Sequence, residues 1–320
     1  MMPFVRVLAF AVAVLGIASA AAEDYPARPI KIIVSTSAGG ITDVAARVLG
    51  QYITVKTGQT VVIDNRAGAG GNIAMDAVAK AAPDGYTLGV ANTGNIVINP
   101  YLYRSMPYDP LRDLVPVGAM GEVPLFMVVN GKFPAQNLKE FVAYAKSHPV
   151  SYGSAGVGTT PHLAADAFNR STGLDMVHVP YRGSTAAMTD VIGGAIPMTF
   201  VSLGQYIELL RQGTIRVLGV ASTRRVSYLP DVPTFAEQGF PGLETGTWFA
   251  LFAPEGTPSA IVDRLNGLVR AMYEDPDSRK RLDAAFLDPM VQTAAEFAAQ
   301  VKADAARWER IVRESGVKQD

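Results

Sequence analysis

The sequence of 320 residues contains no cysteine. This absence excludes disulfide bonds, thiolate metal sites and thiol catalysis. Histidine occurs only three times and the formal net charge is −1 at pH 7. The charge gives no sign of a basic surface, so we expect no nucleic-acid partner. What remains is an ordinary globular composition, 49% hydrophobic and 18% charged, with enough residues for two domains.

The first 22 residues differ from the rest of the chain. Arg6 provides a positive charge, residues 7–17 form an apolar run, and Ala18-Ser19-Ala20 has the small-x-small pattern of a cleavage site. The three features in this order predict a signal peptide over residues 1–22 that is cleaved on export. A membrane anchor or a buried segment is the alternative. We therefore expect a periplasmic protein that begins near Ala21 to Glu23.

The pattern after residue 23 is typical of an α/β fold. Strand "IKIIVST" leads to helix "TDVAARVLGQYITVKTG", and strand "TVVIDN", helix "IAMDAVAKAA" and strand "YTLGVANT" follow. Gly58 is expected to end the first helix. Alternation of strands and helices predicts a parallel sheet whose ligands bind at the carboxyl ends of the strands. The apolar face of the first helix is predicted to comprise Val44, Ala45, Val48, Leu49 and Tyr52.

A second unit of similar design begins after an irregular stretch at 99–116. It again contains a strand, "SYGS", a glycine loop, "AGVGTTPH", and a helix. The strands "PLFMVVN" and "TWFALFAP" are expected to cross between the two units. We therefore predict one domain from 23–123 plus 248–320 and a second domain from 124–247. Two such units can close on a ligand between them.

Enzyme motifs are not found. "STSAGGITD" lacks both G-x-G-x-x-G and the lysine of a P-loop, and neither Ser37 nor Ser154 lies in G-x-S-x-G. The histidines lack the spacing of metal ligands. We expect no metal, no cofactor and no catalytic residue. An exported hydrolase that uses His162 with a nearby hydroxyl is kept as a remote alternative.

Two glycine loops before helices predict an anion site. Small residues leave backbone N–H groups unhindered, and a helix N-terminus adds a partial positive charge of about half a unit. Asp43, in the first turn of its helix, is interpreted as a brace for the loop and not as a base. A small carboxylate fits this pattern better than a phosphate. Hydroxyl donors are expected from Ser37, Thr42, Ser154, Thr159 and Thr160.

The chain resembles the Bug family, the extracytoplasmic solute receptors of tripartite tricarboxylate transporters. The resemblance covers essentially the whole mature chain. It rests on "AGGITDVAARVL", "NRAGAGGNIAMDAVAKAAPDGYTL", "YGSAGVGTTPHLAADAF", "HVPYRGSTAAMTDVIGG" and "WFALFAPEGTPSAIVDRLN".

The resemblance implies a fold, a ligand class and partners. The fold is a two-domain periplasmic binding protein of type II, a Venus flytrap with crossing strands. The ligand is a small carboxylate, the receptor is a monomer, and membrane transporter subunits are its partners. A receptor that presents the ligand to a signalling sensor is the alternative. The implied ligand-binding residues are Thr36, Ser37, Ala38, Gly39, Gly40, Thr42, Asn72, Thr93, Ser154, Ala155, Gly156, Thr159, Thr160, His162, Tyr181, Gly183 and Val201.

Three positions depart from the family pattern. Ser35-Thr36-Ser37 stands where the family usually has Pro-aromatic-Pro, and Ile41 stands where a small residue or proline is usual. Val201 replaces a frequent aspartate, which argues against an amino-acid ligand. These positions bear on which carboxylate is bound and not on the class of protein.

Overall fold

The computed structural model describes residues 25–318. The predicted signal peptide lies outside the described residues. Within them, no helix combines the length and the apolar character needed to cross a membrane.

The described residues form ten strands and ten α-helices. The strands are β1 Ile30–Val34, β2 Val61–Asn65, β3 Thr87–Asn92, β4 Leu114–Val123, β5 Phe126–Asn130, β6 Ser151–Ser154, β7 Val177–Pro180, β8 Met198–Val201, β9 Ile215–Val220 and β10 Thr247–Pro254. The helices are α1 Ile41–Thr57, α2 Asn72–Ala79, α3 Asn99–Leu102, α4 Leu138–Ala145, α5 Thr160–Thr172, α6 Ser184–Gly193, α7 Ile207–Arg211, α8 Ser259–Ala271, α9 Pro276–Ala284 and α10 Ala294–Ser315.

The strands form two five-stranded sheets of the same design. The first has the order β2-β1-β3-β10-β4 and the second the order β7-β6-β8-β5-β9. In each sheet three strands are parallel, β1 to β3 or β6 to β8. In each sheet one further strand, β10 or β5, runs antiparallel between two neighbours. The carboxyl ends of β1 and β6 therefore occupy equivalent places in the two sheets.

Helix α1 follows the predicted pattern. Its apolar face is buried against the first sheet, with Val48, Leu49 and Tyr52 in the same core cluster as Ile32. Gly58 ends the helix with a left-handed φ of 74°, a conformation that glycine adopts at little cost. Both predictions for this helix are confirmed.

The stretch at 99–116 is only partly irregular. It contains α3, and β4 begins at Leu114. The prediction is therefore wrong at its two ends. The strand forms because β4 pairs along its length with β10, which lies more than a hundred residues away in the sequence, and local periodicity does not reveal such a partner.

The chain passes from one sheet to the other twice, and the two crossings are adjacent. The first crossing lies between Val123 and Phe126. The second leads from β9 to β10. Ala221 N–H donates to the carbonyl of Leu125 at 2.8 Å, and Thr245 N–H donates to the carbonyl of Ala221 at 3.0 Å. The crossings lie near the predicted domain boundaries, which stay predictions.

A cluster of charged residues also joins the two halves of the chain. Arg224, from the loop after β9, lies 2.5 Å from Asp288 and 3.6 Å from Glu122. The side chain of Asp288 is fully buried, whereas that of Arg224 is 46% exposed. The hydroxyl of Ser227 donates to Asp288 at 2.7 Å. Burial raises the pKa of Glu122 to about 7, although the charge of Arg224 opposes this shift.

Candidate functional site

The loop between β1 and α1 is held by Asp43. The carboxylate of Asp43 accepts hydrogen bonds from Gly39 N–H at 2.9 Å and from the Asn65 amide at 3.0 Å. Arg47 donates to it at 2.9 Å. The side-chain amide of Asn65 also donates to the carbonyl of Thr36 at 3.0 Å. Asp43 is 2% exposed. Its interpretation as a brace is confirmed.

The charge of Asp43 is stabilised where it lies. Burial alone raises the pKa of this carboxyl, but the hydrogen bonds from Arg47, Gly39 and Asn65 together hold the pKa below its ordinary value. Asp43 is therefore ionised at neutral pH, and its oxygens point to loop donors. It can position the loop amide without acting as a proton acceptor.

Two hydroxyls at the end of β1 have no hydrogen-bond partner in the part of the chain that the structure describes. Ser35 is 2% exposed, and the side-chain oxygens of Ser35 and Thr36 are buried with no hydrogen bond to any described residue. The Thr36 hydroxyl lies close to Gly40, at the start of α1. Buried hydroxyls without partners are costly unless a ligand or water satisfies them. From the sequence, Ser35 is a departure from the family pattern and not one of the predicted ligand-binding residues.

The other predicted residues of this loop differ in exposure. Ser37 to Gly40 are exposed, whereas Thr42 is buried in the first turn of α1. Gly39 has a φ of 88°. The exposed loop therefore presents unhindered backbone at the helix N-terminus.

Asn72 belongs to a buried amide network behind the neighbouring loop. Its side-chain oxygen accepts from the amide of Asn99 at 2.8 Å. Asn99 also donates to the carbonyl of Gly70 at 3.0 Å, and Asn95 donates to the same carbonyl at 2.5 Å. The network fixes the turn that leads into α2. Ligand contact by Asn72 stays a prediction.

We expect Gly71→Ala to lower the free energy of unfolding by about 2 kcal/mol. Gly71 has a φ of 91°, and an added Cβ would overlap the side-chain amide of Asn95. Urea denaturation measures the effect. The matched control is Gly193→Ala, at the end of α6, where an added Cβ meets nothing within 4 Å. Equal effects of the two substitutions would contradict the expectation.

Two further predicted residues lie in the interior. Thr93 is buried, and its hydroxyl accepts the backbone N–H of Trp248 at 2.9 Å. Val201 is buried at the end of β8, where it pairs with Phe126 of β5. The ligand contacts of these two residues stay predictions.

Hydroxyl groups of the loop between β6 and α5 form hydrogen bonds that stabilise the loop itself. Ser154 is 1% exposed, and its hydroxyl lies 3.1 Å from Gly156 N and 2.7 Å from His178 Nε2. Thr159 donates its hydroxyl to the carbonyl of Gly156 at 2.7 Å. The expected ligand donors Ser154 and Thr159 are thus engaged within the loop. Thr160 begins α5, and Ala155 is half-buried.

His162 and His178 form a stacked pair under this loop. Their ring centroids are 4.0 Å apart, with an interplanar angle of 16°. His162 Nδ1 accepts the N–H of Gly158 at 3.1 Å. Burial lowers the pKa of His162; burial and then the charge of His162 lower the pKa of His178 to about 4. Both rings are therefore neutral at pH 7.

His178 is not among the ligand-binding residues predicted from the sequence. The signal for its role is the pairing of β6 with β7, in which Tyr152 is the register partner of His178. The hydrogen bond of His162 is to a backbone amide and not to a hydroxyl. The hydrolase alternative needs a hydrogen bond between His162 and a hydroxyl, and the hydrogen bond that His162 makes here does not supply it.

The segment after β7 is hydrogen-bonded to the second loop, whereas ligand contact by Tyr181 and Gly183 stays a prediction. Tyr181 N–H donates to the carbonyl of Ser154 at 3.1 Å, and Gly183 N–H donates to the carbonyl of Ala155 at 3.3 Å. The hydroxyl of Tyr181 donates to Asp190 at 2.6 Å. Tyr181 and Gly183 thus lie beside the predicted loop residues.

Both loops lie near the boundary between the two halves. Ile41, the first residue of α1, lines a pocket together with Ser202, Gly204 and Gln205 from the second half. Leu163, in the first turn of α5, is fully buried in a core cluster that includes Trp248 and other residues of the first half. Within residues 25–318, no group of three or more His, Cys, Asp or Glu residues could hold a metal ion.

Comparison with known proteins identifies the chain. Residues 45–317 match the family described as the tripartite tricarboxylate transporter family receptor, TctC. The chain belongs to this family. Among relatives of this TctC receptor, Protein BugT of Bordetella pertussis (strain Tohama I) is 37% identical over 316 residues, which are 98% of this chain and 97% of BugT.

Two solved structures resemble this TctC receptor over nearly its whole length. Rpa4515 of R. palustris, with adipate, is 35% identical with a TM-score of 0.73 and covers 92% of this chain and 99% of its own. MatC (Rpa3494) of Rhodopseudomonas palustris, with bound malate, is 33% identical with a TM-score of 0.69 and covers 90% of this chain and 100% of its own.

The comparisons confirm two predictions. The resemblance to Bug receptors is a family relationship. The fold class is that of two-domain periplasmic binding proteins, with two α/β sheets joined by crossing segments. A further structure, 32% identical with a TM-score of 0.69, is that of the periplasmic binding protein BugD.

Proposed function

We propose that this TctC receptor captures a small carboxylate between two domains and delivers it to membrane transporter subunits from the periplasm. The domains are 23–123 plus 248–320 and 124–247, and the receptor acts as a monomer. The observation that carries the proposal is the pair of equivalent loops, each at the carboxyl end of a parallel strand and at the start of a helix. Both lie near the boundary of the two halves.

The chemistry of the first loop favours a carboxylate. Ser35 and Thr36 offer buried hydroxyls with no hydrogen-bond partner among the described residues. Residues 37, 38 and 40 offer backbone at the positive end of α1, whereas the N–H of Gly39 donates to Asp43. Uncharged donors suit a carboxylate because its two oxygens accept several hydrogen bonds. The second loop offers backbone N–H groups in an equivalent place, apart from those of Gly156, Gly158 and Thr159, which donate to other protein groups.

A dicarboxylate is the ligand class that two such loops fit. Each loop can bind one carboxylate end. The two helix N-termini at the boundary would then each face one carboxylate. Support comes from the relatives Rpa4515, which holds adipate, and MatC, which holds malate. Val201 stands where an aspartate would favour an amino group, so we propose a ligand without one.

Calorimetry with mono-, di- and tricarboxylates tests the proposal. The panel includes adipate and malate, and the mature chain is purified after unfolding and refolding to remove any ligand it carries. We expect at least one dicarboxylate to bind with heat release and to raise the Tm. If no member of the panel bound or shifted the Tm, the proposed function would be wrong.

We expect Ser35→Ala and Thr36→Val each to weaken binding by about five- to tenfold, the value of one or two hydrogen bonds. Stability should change little, because these hydroxyls have no protein partner. Calorimetry and thermal unfolding measure the two effects. The control is Ser147→Ala on an exposed turn after α4, which should leave affinity unchanged. Unchanged affinity in both loop variants would exclude these hydroxyls from the site.

Measurement of carboxylate uptake by cells distinguishes a transport receptor from a signalling receptor. Deletion of the gene should abolish cellular uptake of the carboxylate that binds, and expression of the intact chain should restore it. Normal uptake after deletion, with loss of a transcriptional response to the carboxylate, would favour the signalling role.

A further inference from the structure

The two binding loops are built to one plan. In the first, Gly39 N–H donates to Asp43, the third residue of α1. In the second, Gly158 N–H donates to His162, the third residue of α5. The spacing from donor to acceptor is four residues in both. Each helix therefore supplies, from its first turn, the acceptor that orients the glycine amide of its own loop.

The next strand completes each loop in the same way. Asn65, at the end of β2, contacts both Asp43 and the carbonyl of Thr36. His178, in β7, contacts the Ser154 hydroxyl and stacks on His162. The plan is shared, but the chemistry differs. The first loop depends on an ionised carboxylate, and the second loop depends on two imidazoles.

This difference determines how each loop responds to acid. Asp43 accepts hydrogen bonds while ionised, and its partners keep it ionised below the ordinary pKa of an aspartate. His162 Nδ1 accepts the Gly158 N–H only while that nitrogen carries no proton. Protonation would place two N–H groups against each other. A second proton on His178 would place two positive rings 4.0 Å apart.

The charged groups around His162 and His178 do not outweigh the effect of burial on the pKa of the two rings. Asp166, one turn along α5, raises the pKa of both rings, but it is itself paired with Arg170 at 2.8 Å. Tyr152 stacks on His178 at 5.0 Å and is neutral. Glu314, on α10, acts on Arg170. Burial remains the largest influence on both histidines, and it favours the neutral rings.

We propose that His162 and His178 are positioning residues that hold the second loop in its binding geometry only while both rings are neutral, so that the second loop is the acid-sensitive half of the site. The proposal rests on the proposed function in assigning this loop to ligand binding. It predicts that acid loosens the amides of Gly156 and Gly158 before it affects that of Gly39.

The sign of the effect follows from the pKa directions. Both histidines have a lower pKa in the folded chain than the ordinary value of about 6.5. As the pH falls, the two histidines are therefore protonated more readily when the loop is loosened than when it is folded. The loop is fully stabilised above about pH 6.5, and its stability declines below that value, towards pH 4.

Amide NMR of the unliganded mature chain tests the proposal without any ligand. From pH 7.5 to 4.0 we expect the Gly156 and Gly158 amide signals to shift with the imidazole carbons of His162 and His178, with midpoints below the ordinary value of about 6.5. The Gly39 signal should stay constant over the same range. A Gly158 signal that did not follow the imidazoles, or imidazole midpoints near 6.5, would overturn the proposal.

Variants separate positioning from simple packing. His162→Asn keeps an acceptor near the position of Nδ1 and removes the titration, and His178→Gln keeps a polar group within reach of Ser154. His148→Gln is the control, because this histidine is exposed and stacks on Tyr144. In His162→Asn the Gly158 signal should no longer titrate in this range. Titration as in the wild type would again contradict the proposal.

Binding of adipate connects the loop to function. The affinity of the wild type relative to His162→Asn should fall at least about threefold between pH 7.5 and 4.0. Protonation of adipate itself affects both proteins and cancels in the ratio. A constant ratio would show that the histidines do not act on binding. Failure of the wild type to bind adipate at pH 7.5 would count against adipate as a ligand, whereas the NMR titration decides the role of the histidines independently.

Discussion

Replacing Asp43 by alanine is expected to weaken carboxylate binding at least about 30-fold and to lower the free energy of unfolding by about 3 kcal/mol. The substitution removes the acceptor of the Gly39 N–H and of the Asn65 amide. Asn65 then loses one of the two contacts by which it holds the loop. The loop amides lose their orientation, and binding falls although Asp43 itself repels an anion.

Asp43→Asn is the matched variant. It retains an acceptor for Gly39 N–H and removes the negative charge. We expect its affinity to lie between those of the wild type and Asp43→Ala, because its one amide oxygen can keep the bonds from Gly39 and Arg47 while the bond from the Asn65 amide is lost. Calorimetry gives the affinity, and urea denaturation gives the stability. If Asp43→Ala bound as tightly as the wild type, the loop would not need its brace.

Arg224→Ala is expected to lower the free energy of unfolding by about 3 kcal/mol. Arg224 is the cation nearest to Asp288, whose side chain is fully buried. Removing it leaves a buried carboxylate that, among residues 25–318, keeps the hydrogen bonds from Ser227. The cost arises from desolvated charge and not from the lost attraction alone.

The neighbouring residue supplies a strict control. Arg225 forms an ion pair with Glu237 in which both side chains are 45% exposed. Exposed pairs contribute about 0–1 kcal/mol, so Arg225→Ala should change stability little. Urea denaturation of both variants at pH 7 measures the two changes in the free energy of unfolding. Equal losses would mean that the buried position of Asp288 does not govern the effect.

Much of the fold could be predicted because its signals are local. Helix α1 has its apolar stripe and its terminal glycine within one stretch of sequence. The two glycine loops and the bracing role of Asp43 depend on contacts within a few residues. Such contacts are visible in the order of residue types.

The rest depends on partners that are distant in the sequence. Thr93 has the type and position of a ligand donor, but its hydroxyl binds Trp248, 155 residues later. Asn72 is held by Asn99 in the same way. His178 alternates within a short strand, and its role emerges only when β7 lies beside β6. The sequence marks Ser35 only as a departure from the family pattern, because the lack of a hydrogen-bond partner for its buried hydroxyl is visible only in the folded chain.

The position of β10 has a consequence for the order of folding. β10 lies between β3 and β4 in the first sheet, whereas the second sheet uses only strands between residues 126 and 220. A growing chain can therefore complete its second sheet first. Until residues 247–254 emerge, β3 and β4 each have an open edge that other chains could pair with. The first sheet, four of whose strands are synthesised before the second sheet, is thus completed after it.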